Sequence, residues 1–402
     1  MIPLRRLGPA ELQRRTCTQP HSREKGQLVK IQVSQNDLAR GLSAVANVVS
    51  NKTTLPILST ILFDAEDDNL TLAATDLDVS VVTHIYGAET GKTGRTAIPA
   101  AKFVPFIRTL GPDAVKLQCT SDKVKVGSGK ARFEESTMDA ADFPPLPKLT
   151  QDTSFEIDGA VLSHMIRNTI YAISRDETRP ALQGVFWEIT PKSFTMVATD
   201  GHRLTRTRRD LSLGVKNPRK FIASSAGLQQ VLRLIEGVDK VTVYVGETQL
   251  SFEVGNTTVH TRLVEGSFPN YEQVIPKGNS NHILCDRQTL ADRVKRVKIS
   301  ADRVTNQVRF EFDGSTMNLT ATGTEGSRAE DQLAVEYEGD PLMIGFNHNY
   351  VEDVLKHLES ENIVIALDRA DTAAIFVPSE GPIDDVTKSD DLCLLMPLRL
   401  ND

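Results

Sequence analysis

The sequence predicts an α+β fold made of three copies of one domain, each combining antiparallel sheets with two helices. Three observations carry this expectation. Near-identical strings recur at Ala74-Thr75-Asp76, Ala198-Thr199-Asp200 and Ala321-Thr322-Gly323, with their threonines 124 and 123 residues apart. Such a period is too long for a solenoid and suits a domain. A second series, Ile107, Val231 and Leu355, keeps intervals of 124 and 124, and Leu110, Leu234 and Leu358 do the same. Finally, at ~100 to 200 residues per domain, a chain of 402 residues has room for two to four cores.

Each unit carries two helical patterns. The first members run over about 35–50, 159–174 and 287–300, the second over about 101–110, 225–236 and 349–359. Leu228, Val231, Leu232 and Ile235 show the spacing of a single buried stripe. Ser34, Asp158 and Asp286 stand where N-caps belong, and Gly111-Pro112 and Gly237 end helices. Pro105 should kink its helix or push the start later. Between helices the chain alternates with period two. Val241, Val243 and Val245 followed by Leu250, Phe252 and Val254 read as a hairpin through Gly246-Glu247. Phe143-Pro144 and Phe268-Pro269 close the first two units, and turn-rich linkers follow at 144–147 and 276–281. The expected division is 28–148, 149–277 and 278–402, preceded by an extension at 1–27.

That extension holds Arg5, Arg6, Arg14, Arg15, Arg23 and Lys25 against Glu11 and Glu24, without an apolar segment. It is read as a disordered extension or an upstream start rather than a transit peptide. No apolar run approaches the ~18 to 20 residues that span a bilayer, so no membrane partner is expected. Cys17, Cys119, Cys285 and Cys393 lie far apart, which suggests neither a disulfide framework nor a zinc site and fits a reducing cytoplasm.

Forty-six Lys and Arg against 53 Asp and Glu give a net charge of −7, which on bulk charge argues against a polyanion. The helices argue otherwise. Five positions beyond the first apolar residue of each stripe, ~140° from the buried face, stand Ser43, Arg108, Arg167, Arg233, Lys295 and Lys356. Five of these six are basic, although solvated helix faces often carry Lys or Arg. Gathered on one surface they would form an electrostatic footprint for a phosphate backbone, indifferent to base sequence because no recognition-helix, zinc-finger or RNA-binding string accompanies them.

With these residues in view the chain resembles the bacterial sliding clamps, the β subunits of DNA polymerase III. The resemblance rests on Thr54-Leu55-Pro56-Ile57-Leu58, Ala198-Thr199-Asp200-Gly201-His202-Arg203-Leu204, Phe268-Pro269-Asn270-Tyr271, Ile344-Gly345-Phe346-Asn347 and Leu395-Met396-Pro397-Leu398-Arg399-Leu400, in order over roughly 28–400. It implies a non-catalytic processivity factor, with no cofactor and no metal. Three DNA-clamp domains per chain would close head to tail with a second copy into a homodimer ring around double-stranded DNA. Lys52 and Arg175 join the basic helix residues as DNA-facing positions by similarity.

The resemblance also implies a peptide-binding pocket. Its residues would be Leu182, Thr199, Gly201, His202, Arg203, Leu204, Pro269, Val274, Leu394, Met396, Pro397, Leu398 and Arg399, with Arg179, Asn347 and Tyr350 beside them. Leu, Met, Val and Pro make an adaptable apolar cleft, in which partners would insert aliphatic and aromatic anchors. The implied partners are the polymerase III α subunit, the δ subunit of the clamp loader, and other polymerases and repair proteins carrying clamp-binding motifs, all in the cytoplasm at the nucleoid. Ala181 departs from the aromatic often found there in the family, and Ser224-Ser225-Ala226 lacks the usual basic residues, for which Arg219 and Lys220 could substitute.

For the dimer interface, Lys123, Lys125, Lys130, Arg132 and Phe133 lie late in the first unit, while Glu325, Glu330 and Asp331 lie in the third. Opposite charges at the two ends suit a head-to-tail contact, with Phe133 and Ile299 as apolar anchors, although solvated edge strands would carry such charges too. The competing class is a nucleotide enzyme. Gly87-Ala88-Glu89-Thr90-Gly91-Lys92-Thr93 approximates a P-loop, but only three residues separate its glycines, and Gly94-Arg95-Thr96 and Pro99 follow instead of a helix. A surface hairpin turn is the better reading. Asp200-Gly201-His202 has no accompanying nucleophile, and the eight histidines show no metal-binding spacing.

Overall fold

The computed structural model describes residues 29–400 apart from 51, 67, 150–152, 325 and 382. The expected extension at 1–27 and Glu325 therefore lie outside the described residues, as does Cys17.

Each unit runs strand, helix, a set of strands, helix, three strands. The helices are α1 (Gln35–Val45), α2 (Ala100–Thr109), α3 (Gly159–Ile170), α4 (Ser225–Leu234), α5 (Arg287–Val297) and α6 (His348–His357). Ser34, Asp158 and Asp286 cap α1, α3 and α5, each side chain accepting from backbone N–H groups of the first turn. The first helices end before the sequence pattern does. After Val45 the chain leaves the α-helix while Val48 remains buried, so the apolar spacing continues without the helix. The pattern at 298–300 likewise becomes a 3-10 turn. Pro105 lies inside α2, which starts at Ala100 regardless.

More strands form than the sequence pattern suggests, and they do not stop at the unit borders. Within the second unit, 153–158, 240–245, 249–254 and 257–264 make one ladder, and 203–209, 194–199, 184–189 and 219–224 another. The hairpin expected through Gly246-Glu247 pairs Val243 with Phe252. Strand Thr257–Val264, the last of the second unit, pairs antiparallel with Val79–Tyr86 of the first. Strand Asp391–Leu395, the last of the third, pairs in the same way with Arg203–Arg209 of the second. The rule is thus that a unit's last strand completes the sheet of the unit before it, on the third strand after that unit's first helix.

Burial follows the continuity of the sheets. The cores of the first two units merge into one cluster, from Leu38 and Phe103 to Trp187 and Phe252, while Leu290, Phe310, Phe346 and Leu355 centre the core of the third. A further cluster, with Val197, Leu204, Ile375 and Leu394, seals the junction of the second and third units. The helices form a single row. Helices α1 and α2, α3 and α4, and α5 and α6 pack in pairs. Across the first junction α1 and Arg233 of α4 line one cavity. Across the second, Tyr171 at the end of α3 stacks on His357 of α6, ring centroids 4.0 Å apart.

Candidate nucleic-acid surface and peptide pocket

Because the buried stripe of each helix faces its sheet, the residues five positions on emerge along the outer side of the row. Arg108, Arg167, Arg233, Lys295 and Lys356 are all exposed, as are Lys52 and Arg175. None of the seven has a carboxylate within ion-pair distance among the described residues, and Arg108 donates only to the Ser43 hydroxyl, at 3.2 Å. Their neighbours differ. Arg293 and Arg296 of α5 both engage Asp331, and Lys298 engages Glu352 at 2.6 Å. The exposed line of the helices is thus a run of cations with no carboxylate partner among the described residues, a positive strip on an acidic protein.

Seven of the expected pocket residues gather where the second unit meets the third. Leu204 and Leu394 are buried in the cluster that seals this junction, Leu182 is buried, and Val274 is 56% and Met396 44% exposed. One wall is the turn from Thr199 to Arg203. Its Thr199 hydroxyl donates to the Arg203 carbonyl at 2.6 Å, and Asp200 accepts from the backbone of His202 and Arg203 at 2.9 and 3.0 Å. Gly201 has φ +93°, and a Cβ there would stand 3.1 Å from the Arg179 guanidinium, so the turn favours glycine. The C-terminal segment is tied down by Met396 N–H donating to the His202 carbonyl and Leu398 N–H to that of Gly345, both at 2.8 Å. His202, Asn347, Tyr350, Met396, Pro397, Leu398 and Arg399 then line a cavity of about 340 Å³, which Val304, Thr305 and Gln307 complete. Those last three carry no sequence signal beyond the 88% exposure of the Val304 side chain, visible only in three dimensions.

Of the expected set, Arg179, Leu182, Thr199, Gly201, Leu204, Val274 and Leu394 do not line this cavity, and Arg203 and Pro269 are placed differently. Arg203 turns inward, donating to Asp200 at 3.0 Å, to Asp353 of the third unit at 2.6 Å and to the Tyr171 carbonyl at 2.7 Å. Its guanidinium lies over the rings of Tyr350 and Tyr171, 4.6 and 5.4 Å from their centroids. It clasps two units together and props Tyr350 from behind. Pro269 lines a separate cavity toward the first unit.

A second clasp sits nearby, unannounced by any motif. Asp391 accepts from His164 Nε2 at 3.0 Å, from Arg209 at 3.1 and 3.0 Å, and from the Thr207 hydroxyl. Burial raises the Asp391 pKa, but these donors outweigh it and bring it down to about 2. The hydrogen bond to Asp391 raises the pKa of His164 against the effect of burial, helped by Glu359 at 3.3 Å and opposed by Arg209.

The two ends of the chain present edges. Among the described residues, strand Ala131–Ser136 pairs only with Lys123–Ser128, and Arg328–Ala334 only with Thr316–Thr322. On the first edge Phe133 is half-buried and stacked on Phe106 at 4.6 Å, an anchor shared with its own core rather than a free one. Lys125 shares Glu134 with Lys123, and Arg132 donates to the Gly129 and Ala131 carbonyls. Lys130 is exposed. Near the second edge Ile299 is 83% exposed on a turn that packs beside Arg328–Ala334, and Glu330 pairs with Arg328.

Nucleotide chemistry finds no frame in the fold. The segment at 87–93 is a turn at Gly87 followed by strand Glu89–Lys92, which pairs with the first strand. Cys119 and Cys285 are buried with thiols pushed up to about 12, and Cys393 with one pushed up to about 11, which leaves them protonated and inert.

Family models for the DNA polymerase III β subunit match along the chain: the N-terminal domain at 29–147, the central domain at 156–270 and the C-terminal domain at 272–386. Among curated relatives, the β sliding clamp of Escherichia coli K12 is 30% identical over 92% of this chain and 100% of its own, and that of Pseudomonas aeruginosa 29% over 92% and 99%. Solved structures agree. The P. aeruginosa clamp bound to griselimycin superposes with a TM-score of 0.87 at 29% identity, covering 92% of this chain and all of that one. The Caulobacter crescentus clamp, with polyethylene glycol bound, gives 0.86 at 27%, covering 93% and 99%. These matches span a sheet-rich chain of three like domains, and the chain belongs to the DNA polymerase III β subunit family, the sliding clamps.

Proposed function

We propose that two copies of this chain close head to tail into a ring that encircles duplex DNA with its helix row inward, and that polymerases are tethered through the pocket at the junction of the second and third units. The chain is a processivity factor and not an enzyme. The observation that carries the ring is the sheet rule. The last strands of the second and third units pair with the third post-helix strand of the unit before, which leaves Ala131–Ser136 of the first unit and Arg328–Ala334 of the third as the one combination a single chain cannot make. A second copy supplies it, and a heterologous contact whose rotation closes gives a ring. Its unit borders are taken at 148/149 and 277/278.

Inside the ring the basic line faces phosphates, and modest, water-bridged contacts let it slide. The α subunit of the polymerase, the δ subunit of the clamp loader and other proteins with clamp-binding motifs share the pocket in turn, in the bacterial cytoplasm at the nucleoid. Among the described residues no helix is long and apolar enough to cross a membrane.

The decisive experiment loads the protein onto a nicked circular plasmid with a clamp loader and ATP, then linearises the plasmid. Retention on circles with escape from ends is expected. Equal retention on both would sink the ring. Replacing Arg108, Arg167, Arg233, Lys295 and Lys356 by Ala should leave the circle topology-bound while flattening the salt dependence of the initial DNA encounter, by up to ~0.9 in slope for each phosphate no longer neutralised. For the pocket, Met396→Ala is expected to weaken an α-subunit motif peptide about tenfold by fluorescence anisotropy, the effect of removing one apolar anchor, without changing retention on circles. Unchanged peptide affinity would place the peptide elsewhere.

A further inference from the structure

The junction of the first two units repeats the turn that walls the peptide pocket. Thr75 donates to the Val79 carbonyl at 3.1 Å as Thr199 does to Arg203, and Asp76 accepts from Asp78 and Val79 backbone N–H at 3.0 and 2.7 Å as Asp200 does from His202 and Arg203. Where the pocket has Gly201 at φ +93°, this turn has Leu77 at φ +83°. A leucine in the left-handed region is strained and persists only where the surroundings impose it. Its side chain is 44% exposed.

Beyond this turn lies a cavity of about 1280 Å³, bounded by the linker at 144–147, the segment 265–272 and the face of the second unit's sheet. Its apolar lining includes Leu77, Pro144, Pro145 and Phe186, with Phe186 stacked on Phe268 at 4.9 Å. Its charges are one-sided. Lys220 is engaged by Glu188 at 2.6 Å, and Arg262 faces Asp78 at 4.0 Å. Glu247, Glu265 and Glu272 are exposed with no ion-pair partner among the described residues.

We propose that this cavity is a second peptide-docking groove, which takes an extended cationic segment of a partner protein carrying an aliphatic or aromatic anchor. The anchor would sit against Leu77, Phe186 and the two prolines, and flanking Lys or Arg would meet Glu247, Glu265 and Glu272. The same glutamates repel nucleic acid, so the groove stays clear of the duplex. This site is independent of the peptide pocket and stands or falls separately from it.

The test uses the full chain and three fluorescein-labelled peptides of roughly twelve residues. One alternates Arg with Leu, a second has Ser for each Leu, and a third has Glu for each Arg. Anisotropy should show saturable binding of the first, at least about tenfold weaker binding of the second, and none of the third. Glu265→Lys with Glu272→Lys should weaken the first peptide by about tenfold or more, and Leu77→Gly, which suits the turn and so spares the fold, by several-fold. Met396→Ala should change nothing. Absence of saturable binding, equal affinity for the Ser peptide, insensitivity to the charge reversals, or loss on Met396→Ala would each overturn the proposal. Tighter binding to an Arg5→Ala, Arg6→Ala chain would replace the partner by the chain's own amino-terminal segment.

Discussion

A clamp carrying Ile299→Asp is expected to fold normally and to be lost from circular DNA. Ile299 is 83% exposed in the single chain, so the substitution leaves the core intact and should shift the melting temperature by no more than about 1 to 2 °C. In the ring the same side chain stands beside the edge strand Arg328–Ala334, where the partner's Ala131–Ser136 edge would arrive. Burying an isoleucine is worth ~1.5 to 3 kcal/mol, and a two-fold ring has two such contacts, so the dissociation constant of the dimer should rise at least ~100-fold, and further for a buried unpaired carboxylate. Sedimentation velocity at micromolar concentration should find monomer, and retention on nicked circles should disappear. A variant that stays dimeric and retained would mean that Ile299 lies outside the interface and that the sheet rule does not govern ring closure. Phe133 makes a poorer test. It stacks on Phe106 and lies near Phe103, so its removal would damage the first unit's core together with any interface.

Whatever depends on local spacing is legible in the sequence. The 124-residue repeat and the apolar stripes are periodic, so the six helices and their exposed basic line follow from counting along the chain. The apolar pattern overruns the ends of α1 and α3 because Val48 and Ala172 stay buried after the helix has ended, and burial is what the pattern records. Contacts between units are not legible. Arg203 reads as a pocket residue because it lies in the Thr199–Leu204 string, yet its partner Asp353 is 150 residues away. Asp391 has no motif at all, and its donors come from 182 to 227 residues distant. The sharing of strands between units has the same character, since Thr83 meets Thr257 only after both units have folded.

Asp391→Ala should therefore be among the most damaging single substitutions in the chain, with an expected loss of ~3 to 5 kcal/mol. The loss comes less from the missing attraction than from Arg209 and His164, which would remain at a half-buried junction without a counter-charge. The pH dependence of the wild type shows how the two halves of the clasp divide the work. The Asp391 pKa is depressed to about 2, so its contribution is present above the unfolded value of ~3.9 and disappears as pH falls through about 2. The His164 pKa is raised, so its contribution is complete below the unfolded value of ~6.5 and is lost as pH rises through the folded value. The junction should consequently be strongest between about pH 4 and 6.5, with Arg209 alone holding Asp391 on the alkaline side. In a His164→Asn variant the alkaline decline should vanish while the acid one persists, and in Asp391→Ala both should be absent from an already weakened protein. Chemical denaturation followed at several pH values, using the near-ultraviolet signal of Tyr171 stacked on His357 across the junction, separates these cases. An alkaline decline that survives in His164→Asn would assign it to another group and leave His164 as packing.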